Sequence, residues 1–149
     1  MPRTEPLTAS VADLHWIGGN LDRFWGDEPA PWHHPMFVRE FAGLSLAVRD
    51  DTSGVVAYLF GVMASAEPVG YVHIVGVRED HRRHGLGAQL YDEFASRARR
   101  HGATSIRAIT RPSNARSVDF HAGLGFTRRL VEDYAALGEP RYVFERPIV

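Results

Sequence analysis

The sequence predicts an α/β (α+β) fold in which a single mixed, mostly antiparallel twisted sheet is flanked by helices. Apolar residues alternate over two neighbouring segments, Leu44 to Arg49 and Val55 to Met63, as in an antiparallel hairpin. Further along, a strand from Tyr71 to Val77 precedes a segment from Leu86 whose apolar residues keep helical spacing. The length of 149 residues suits one domain, so the whole chain is predicted to form a single sheet with its helices.

The first third of the chain has helical spacing and many loop-forming residues. Gly18 and Gly19 interrupt the pattern, so one or two short helices are expected before the proline-rich stretch from Gly26 to Pro35. Another short helix is predicted from Met36 and should end near Gly43. The repeating apolar positions are Val11, Leu14, Ile17, Leu21, Phe24 and Trp25.

Strands and helices alternate in the second half of the chain. The helix that begins at Leu86 is the best-defined element, because Leu90 and Phe94 continue its apolar face and Gly102 is a suitable stop. After it the sequence predicts a strand over Ser105–Thr110, a helix opened by Ser113 or Asn114 and closed by Gly123 or Gly125, and strands over Phe126–Leu130 and Arg141–Glu145.

Composition excludes several classes of protein. The formal net charge of -1 gives no general reason to expect nucleic acid or an anionic membrane as a partner. Without cysteine, the chain has no disulfide framework, no thiolate zinc site and no cysteine nucleophile. No segment offers the roughly 18 uninterrupted apolar residues of a membrane span, and Met1 to Ser10 lack a signal pattern. A cytoplasmic protein is therefore expected, with neither nucleic acid nor membrane as its partner.

A basic turn with two glycines joins the strand that ends at Val77 to the best-defined helix. The N-terminus of a helix carries unpaired N–H groups and a partial positive charge, so it is suited to bind a pyrophosphate. Gly85 and Gly87 are expected to let phosphate approach the backbone closely. Three basic residues are expected to add charge-assisted contacts: Arg82, Arg83 and His84. The alternative is that the turn only begins a helix and its arginines are solvated.

Two other nucleotide-binding motifs do not fit this turn. It has no Gly-Lys-Ser/Thr ending of a P-loop, and its glycine spacing is incomplete for a dinucleotide-binding fingerprint.

The order Arg82-x-x-Gly85-x-Gly87, directly after a strand that ends in valine, resembles the acetyl-CoA pyrophosphate loop of the GNAT family of N-acetyltransferases. This resemblance implies acetyl-CoA as co-substrate. It also implies that main-chain groups at the end of the strand meet the pantetheine and the thioester carbonyl, while backbone amides of the turn meet the pyrophosphate. The cofactor-binding residues so implied are Val75, Gly76, Val77, Arg82, Arg83, His84, Gly85, Leu86, Gly87 and Ala88.

A second motif downstream resembles the same family. The residues that fall on the pattern Asn-x-x-Ala/Ser-x-x-Phe-Tyr-x-x-x-Gly-Phe are Asn114, Ser117, Phe120, His121, Gly125 and Phe126. The resemblance implies that Asn114, Ser117 and His121 contribute to the cofactor site. His121 stands where the family commonly has a tyrosine that protonates the departing CoA thiolate, so it is predicted to be the catalytic acid. Ile109 stands where some members carry a glutamate base, so that base is missing.

Three other histidines are weaker candidates for binding the substrate. His73 lies within a strand beside the implied thioester site, where it can reach the acceptor amine or serve the core. His33 and His34 follow Trp32 in the proline-rich loop and can line a substrate mouth, cap the loop or pack. A third ligand at useful spacing is lacking, so no metal site is predicted. Acceptor pocket and core packing remain open for five aromatic residues: Trp16, Phe24, Trp25, Trp32 and Phe37.

The sequence thus predicts a single N-acetyltransferase domain over residues 1–149, which transfers an acetyl group from acetyl-CoA to a primary amine. A small-molecule amine is slightly favoured over a peptide or protein, and a homodimer is a family-level expectation. The alternative is a CoA-binding regulatory module with weak or no catalysis, because Ile109 and His121 depart from the family pattern. A nucleic-acid module rests only on Arg78 to His84 and is disfavoured.

Overall fold

The computed structural model describes residues 5–41, 43–52 and 54–148. Twelve helices and strands and one short 3₁₀ turn follow each other within these residues. They are β1 (Leu7–Thr8), α1 (Val11–Gly18), α2 (Asp22–Trp25), α3 (Met36–Arg39), β2 (Leu46–Arg49), β3 (Val55–Met63), β4 (Val69–Val77), the 3₁₀ turn (Glu79–His81), α4 (Leu86–Arg100), β5 (Ser105–Thr110), α5 (Ala115–Gly123), β6 (Thr127–Ala136) and β7 (Glu139–Pro147).

The strands of the described residues form one sheet in the order β1-β2-β3-β4-β5-β7-β6. Neighbouring strands are antiparallel except for β4 and β5, which are parallel and joined by the crossover helix α4. The predicted mixed, mostly antiparallel sheet is therefore confirmed.

Each face of the sheet carries its own apolar core. On one face α4 buries Leu90, Tyr91 and Phe94 against β2, β3 and β4. Close packing of this helix depends on glycine in the strands, because a Cβ on Gly61 would lie 2.5 Å from the Phe94 ring. On the other face the apolar residues of α1, α2 and α3 cover Tyr58 and its neighbours in β3.

The structure corrects several predicted boundaries. The helix expected to end near Gly43 ends at Arg39, and the two-residue strand β1 was not predicted. Both strands of the C-terminal hairpin are longer than predicted. Most of β6 is exposed, so this strand lacks the alternating pattern that marks a half-buried strand. No helix among the described residues is long and apolar enough to cross a membrane.

Candidate functional site

The facing edges of β4 and β5 separate halfway along the two strands. Their last paired residues are Val72 and Ala108. Beyond this pair β4 stays bonded to β3 as far as Val77, and β5 stays bonded to β7 as far as Thr110. The sheet therefore opens between the two parallel strands, and the outer part of β4 keeps backbone groups that no neighbouring strand uses.

A β-bulge in β4 marks the point of separation. Phe60 of β3 pairs with Ile74, while the next residue, Gly61, pairs with Val72, so His73 is the extra residue. A bulge bends its strand and increases the local twist. It lies directly after the last pair between β4 and β5 and directs the rest of β4 away from β5.

The predicted main-chain contacts at Val75, Gly76 and Val77 lie on this open part of β4. The two valine side chains pack against the core beneath α4, which leaves the backbone edge free. Gly76 has a packing reason as well, because a Cβ there would lie 2.7 Å from the ring of Tyr58.

The turn between β4 and α4 presents backbone N–H groups to solvent. Arg83 and Gly85 adopt left-handed conformations with φ of 65° and 75°, and Gly85 is the N-cap of α4. Arg83, His84 and Gly85 are exposed. The first three residues of the helix have no intrahelical partner for their N–H groups and no other acceptor among the described residues: Leu86, Gly87 and Ala88. This is the donor set that the pyrophosphate prediction requires.

The two glycines of the turn have different roles. A Cβ on Gly85 would meet nothing within 4 Å, so the space in front of this backbone is open. A Cβ on Gly87 would lie 2.7 Å from the ring of Phe120, so this glycine lets α5 pack against the start of α4. The prediction that Gly87 leaves room for phosphate is therefore replaced by a packing role.

Arg82 differs from its predicted role as a side-chain ligand of phosphate. Its Nε donates to the carbonyl oxygen of Val77 at 3.2 Å, and its Nη2 donates to that of Phe24 at 2.6 Å. The guanidinium thus binds the end of β4 and the helix α2. The sequence motif could not show this contact, because Phe24 lies 58 residues away from Arg82.

Arg78 is also used inside the protein. It is 5% exposed and donates to Asp80 at 2.7 Å, with Asp50 at 3.4 Å. Together with the bonds of Arg82, this removes two arginines from the basic segment on which the nucleic-acid alternative rested.

The motif at the start of α5 is a helix cap in this structure. The Asn114 side-chain oxygen accepts from the backbone N–H of Ser117 at 3.1 Å. Asn114 is exposed and Ser117 is half-buried, so both lie at the surface near the start of the helix. Their predicted part in cofactor binding is not tested by this geometry.

His121 lies in the core between α4, α5 and β7. It is 6% exposed, and its ring stacks on Phe144 with centroids 4.3 Å apart. Both ring nitrogens have protein partners: Nδ1 is 2.7 Å from the carbonyl oxygen of Ser117, and Nε2 is 2.7 Å from the hydroxyl of Tyr91. The prediction that this histidine faces the CoA sulfur required a free nitrogen, and the structure does not show one.

These two bonds also define the tautomer of His121. A carbonyl oxygen only accepts, so Nδ1 carries the proton that binds Ser117. Nε2 of the neutral ring is then an acceptor, and Tyr91 donates to it. Burial lowers the pKa of His121, with the Ser117 bond opposing that shift, so the neutral form is favoured.

His73 lies at the bulge where the sheet opens. It is exposed, stacks on Phe37 with centroids 4.6 Å apart, and its Nδ1 lies 3.4 Å from the hydroxyl of Tyr71. Partial burial lowers the pKa of His73, against a raising contribution from the carbonyl of Trp32. A neutral imidazole at this bulge can accept a proton.

His33 belongs to a directed chain of hydrogen bonds. The indole N–H of Trp25 donates to the hydroxyl of Tyr58 at 3.0 Å, and this hydroxyl donates to Nε2 of His33. Nδ1 of His33 then donates to the carbonyl oxygen of Pro31. Both nitrogens are used within the protein, so His33 holds the proline-rich loop against β3.

His34 caps the helix α3 with its Nδ1, which accepts from the backbone N–H of Met36 at 3.1 Å. The described residues contain no group of three or more potential ligands arranged around a metal ion. Of the five aromatic residues left open above, Phe24 and Phe37 are buried and Trp32 is 77% exposed.

Two carboxylates at the β4–β5 side of the sheet are bound by one arginine. Arg107 of β5 donates to Glu67 at 3.0 Å and to Glu145 at 2.9 Å. The bond from Arg107 lowers the pKa of Glu67 and keeps it ionised. Ile109, two residues along the same strand, offers no acidic group. The sequence motifs gave no signal for Tyr58, Tyr91 or Arg107, which bind partners distant in the chain.

An opened parallel strand pair beside a helix N-terminus with free amides offers hydrogen bonds to an extended ligand and to an anionic group. The family model "Acetyltransferase (GNAT) family" matches residues 17–126. This chain therefore belongs to the acetyltransferase (GNAT) family. It is an N-acetyltransferase whose co-substrate is acetyl-CoA.

Individual known acetyltransferases are also similar to this chain. An L-methionine sulfoximine/L-methionine sulfone acetyltransferase of Pseudomonas aeruginosa is 33% identical over 132 residues, which cover 79% of this chain and 77% of that protein. Naa20 of Chaetomium thermophilum, solved with a bisubstrate analogue, superposes with a TM-score of 0.78 at 18% identity, over 96% of this chain and 86% of that one. A phosphinothricin acetyltransferase of Sinorhizobium meliloti, solved with AcCoA, gives 0.70 at 17% identity, over 97% and 88%. The two structures share the fold.

Proposed function

We propose that this enzyme acetylates the primary amine of a small, amino-acid-like molecule. The observation that carries the proposal is the opening of the sheet after Val72, which places a bulged histidine on one side and an unused strand edge on the other. The Pseudomonas relative, which acts on methionine derivatives by its name, favours a small acceptor over a protein.

The residues of the opening fit acetyl-CoA. The pyrophosphate finds the free N–H groups of residues 86–88, in front of which Gly85 leaves open space. The pantetheine finds the backbone edge of β4 from Val75 to Val77, where hydrogen bonds to an extended chain are available. The thioester then comes close to the bulge, where a backbone N–H can stabilise the oxyanion.

In the reaction, the nitrogen of the neutral amine attacks the thioester carbon, the C–S bond breaks, and CoA leaves as a thiolate. One amine proton must go to a base and one proton must reach the thiolate. His73 is our candidate for the base, because it is exposed at the bulge and favours its neutral form. Glu67 and Glu145 are less suited, since both bind Arg107.

The second candidate is a CoA-binding module with weak or no catalysis. The observation that favours it is that His121, at the place of the family's proton donor, has both nitrogens bonded. The two candidates differ in one measurable respect, which is acceptor-dependent release of free CoA thiol.

The experiment measures thiol release from acetyl-CoA with L-methionine sulfone, L-methionine sulfoximine and short peptides with free N-termini. We expect at least one amino-acid derivative to stimulate release well above buffer, with peptides slower. Stimulation by the peptides alone would contradict the small-molecule acceptor. CoA binding by calorimetry without stimulation by any amine would favour the binding module.

The variant His73→Gln tests whether His73 is the base. Below its pKa the histidine is protonated and cannot accept a proton, so the wild-type rate should fall on the acidic side. That fall should lie below the ordinary histidine range near 6.5, because burial lowers the pKa. The His73→Gln variant should lose about 10²-fold in kcat. Its rate should also no longer fall on the acidic side of the pH profile. An unchanged pH profile would remove His73 from the mechanism.

A further inference from the structure

Arg82 joins two parts of the protein that serve different substrates. One carbonyl that it binds ends β4, and the other belongs to α2, which precedes the loop on the acceptor side. Its side chain is half-buried between them. Arginine is suited to this position because its planar fork can donate to two acceptors at once, whereas the ammonium of lysine is a single point of charge.

The helix α2 needs external contacts to persist. It has four residues, and its N-cap makes no side-chain hydrogen bond. A single turn of helix is unstable alone. Phe24 anchors it in the core, and the Nη2 bond of Arg82 satisfies a carbonyl near its C-terminal end, where a cation is favoured.

The position of α2 affects the acceptor side through the next residues. Trp25 donates to Tyr58, which in turn donates to His33, and the loop between them carries Trp32 beside His73. A shift at Phe24 is thus passed along this chain to the loop over the bulge.

On its other side Arg82 begins the turn that presents amides to the pyrophosphate. The left-handed residue Arg83 follows it directly, and Gly85 and the free N–H groups of α4 come next. A ligand that fixes these amides also fixes the backbone of Arg82, and with it the geometry of both carbonyl bonds.

We propose, building on the proposed function, that Arg82 is a positioning residue that couples acetyl-CoA binding to the order of α2 and the acceptor-side loop. The guanidinium acts through main-chain carbonyls and not on phosphate. Binding of CoA at the turn therefore slows the opening of α2, and the acceptor amine meets a more ordered loop when acetyl-CoA is bound.

The test is amide hydrogen exchange of residues 22–26 with and without saturating CoA. Trp25 and Gly26 donate within this helix to Leu21 and Asp22, so their exchange reports its opening. In the wild type we expect CoA to slow this exchange at least about fivefold, the lower end of usual coupling between sites. In Arg82→Lys, which retains the charge but cannot bridge both carbonyls, slowing should fall below about twofold.

Arg83→Ala is the matched control. Arg83 is the neighbouring arginine, is exposed, and its side chain makes no hydrogen bond or ion pair with the described residues. The Arg83→Ala variant should bind CoA more weakly than the wild type. Once it is saturated with CoA, its amide exchange in α2 should be slowed as much as in the wild type. Arg82→Gln serves as a second variant if the lysine variant does not fold.

Three results overturn the coupling. In the first, CoA slows the exchange of α2 in a folded Arg82 variant as much as in the wild type. In the second, saturating CoA does not slow this exchange in the wild type. In the third, Arg83→Ala loses the slowing as fully as the Arg82 variant does. Failure of the wild type to bind CoA in calorimetry is a different result, which overturns the proposed function along with the coupling.

Discussion

At the scale of single residues, hydrogen bonding determines what His121 can do. Its neutral ring donates from Nδ1 to Ser117 and accepts at Nε2 from Tyr91. Tyr91 itself is 1% exposed, and burial raises its pKa far above the usual range, so it keeps its proton. Proton donation from His121 to a thiolate must therefore break one of the two bonds.

The predicted catalytic role of His121 can be tested by three substitutions in single-turnover assays. If the histidine gives up its Ser117 bond to protonate CoA, His121→Ala should lose about 10²-fold in rate and His121→Tyr should recover part of it. Tyr91→Phe removes the partner at Nε2 and is the control, since it keeps the ring of Tyr91 in place.

A packing role gives a different pattern. His121→Ala then lowers stability by leaving a cavity beside Phe144, with CoA affinity and the rate per folded molecule unchanged. Equal rates in all three variants would leave His121 as a core residue.

At the scale of elements, the turn and the helix α4 act as one unit. Gly85 begins the helix and Gly102 follows its end, and both adopt positive φ with open space around their Cβ positions. A branched side chain strains the backbone at both sites, but only the first lies at the proposed pyrophosphate site.

The comparison of these two glycines gives a prediction for CoA affinity. Gly85→Val should weaken CoA binding at least ~10-fold, or ~1.4 kcal/mol, because its side chain fills the space in front of the free amides. Gly102→Val should lower the free energy of unfolding by about as much as Gly85→Val does, but it should keep the CoA affinity of the wild type. The measurements are calorimetric titration and urea unfolding; equal CoA affinity in the two variants would contradict the placement of the pyrophosphate.

At the scale of the whole molecule, polar contacts help to hold the N-terminal helices to the sheet. Asp13 of α1 is 4% exposed and pairs with Arg49 of β2, with Nε donating to Oδ1 at 2.7 Å. Ser10 completes the site by donating its backbone N–H to the same carboxylate at 2.7 Å. Burial raises the pKa of Asp13, but the hydrogen bonds from Arg49 and Ser10 outweigh it, and the net shift is downward.

The Asp13 pair should make stability depend on pH in a defined direction. A carboxyl whose pKa is lowered on folding stabilises the protein above its unfolded pKa of about 3.9, and this contribution is lost as the pH falls through the folded pKa. Asp13→Asn should therefore destabilise by about 3 kcal/mol near neutral pH in urea unfolding, and by less in acid.

The exposed Asp92 of α4 supplies the control, since Asp92→Asn should change stability by less than about 0.5 kcal/mol at any pH. A loss in Asp13→Asn that is equal at neutral and acidic pH would show that the carboxylate charge does not contribute.

Local patterns in the sequence were sufficient for the strands around the hairpin, for α4 and for the turn before it. Val55–Met63 matches β3 because alternation reports a sheet directly. The start of α4 at Leu86 matches because Gly85 and the apolar face that follows are neighbours in the chain. Where the side chains are exposed, as along β6, no such pattern exists and the boundary was wrong.

The sequence by itself determined the order of the elements apart from β1, the glycine turn before α4 and the family, since each rests on residues close together in the chain. Only the tertiary structure decided how individual side chains are used. The bulge at His73 depends on the register between β4 and β3. The role of Arg82 depends on a carbonyl 58 residues away in the chain, and that of His121 depends on a tyrosine 30 residues away. Hydrogen-bond partners compete for the same donor, and the fold alone settles which partner is within reach.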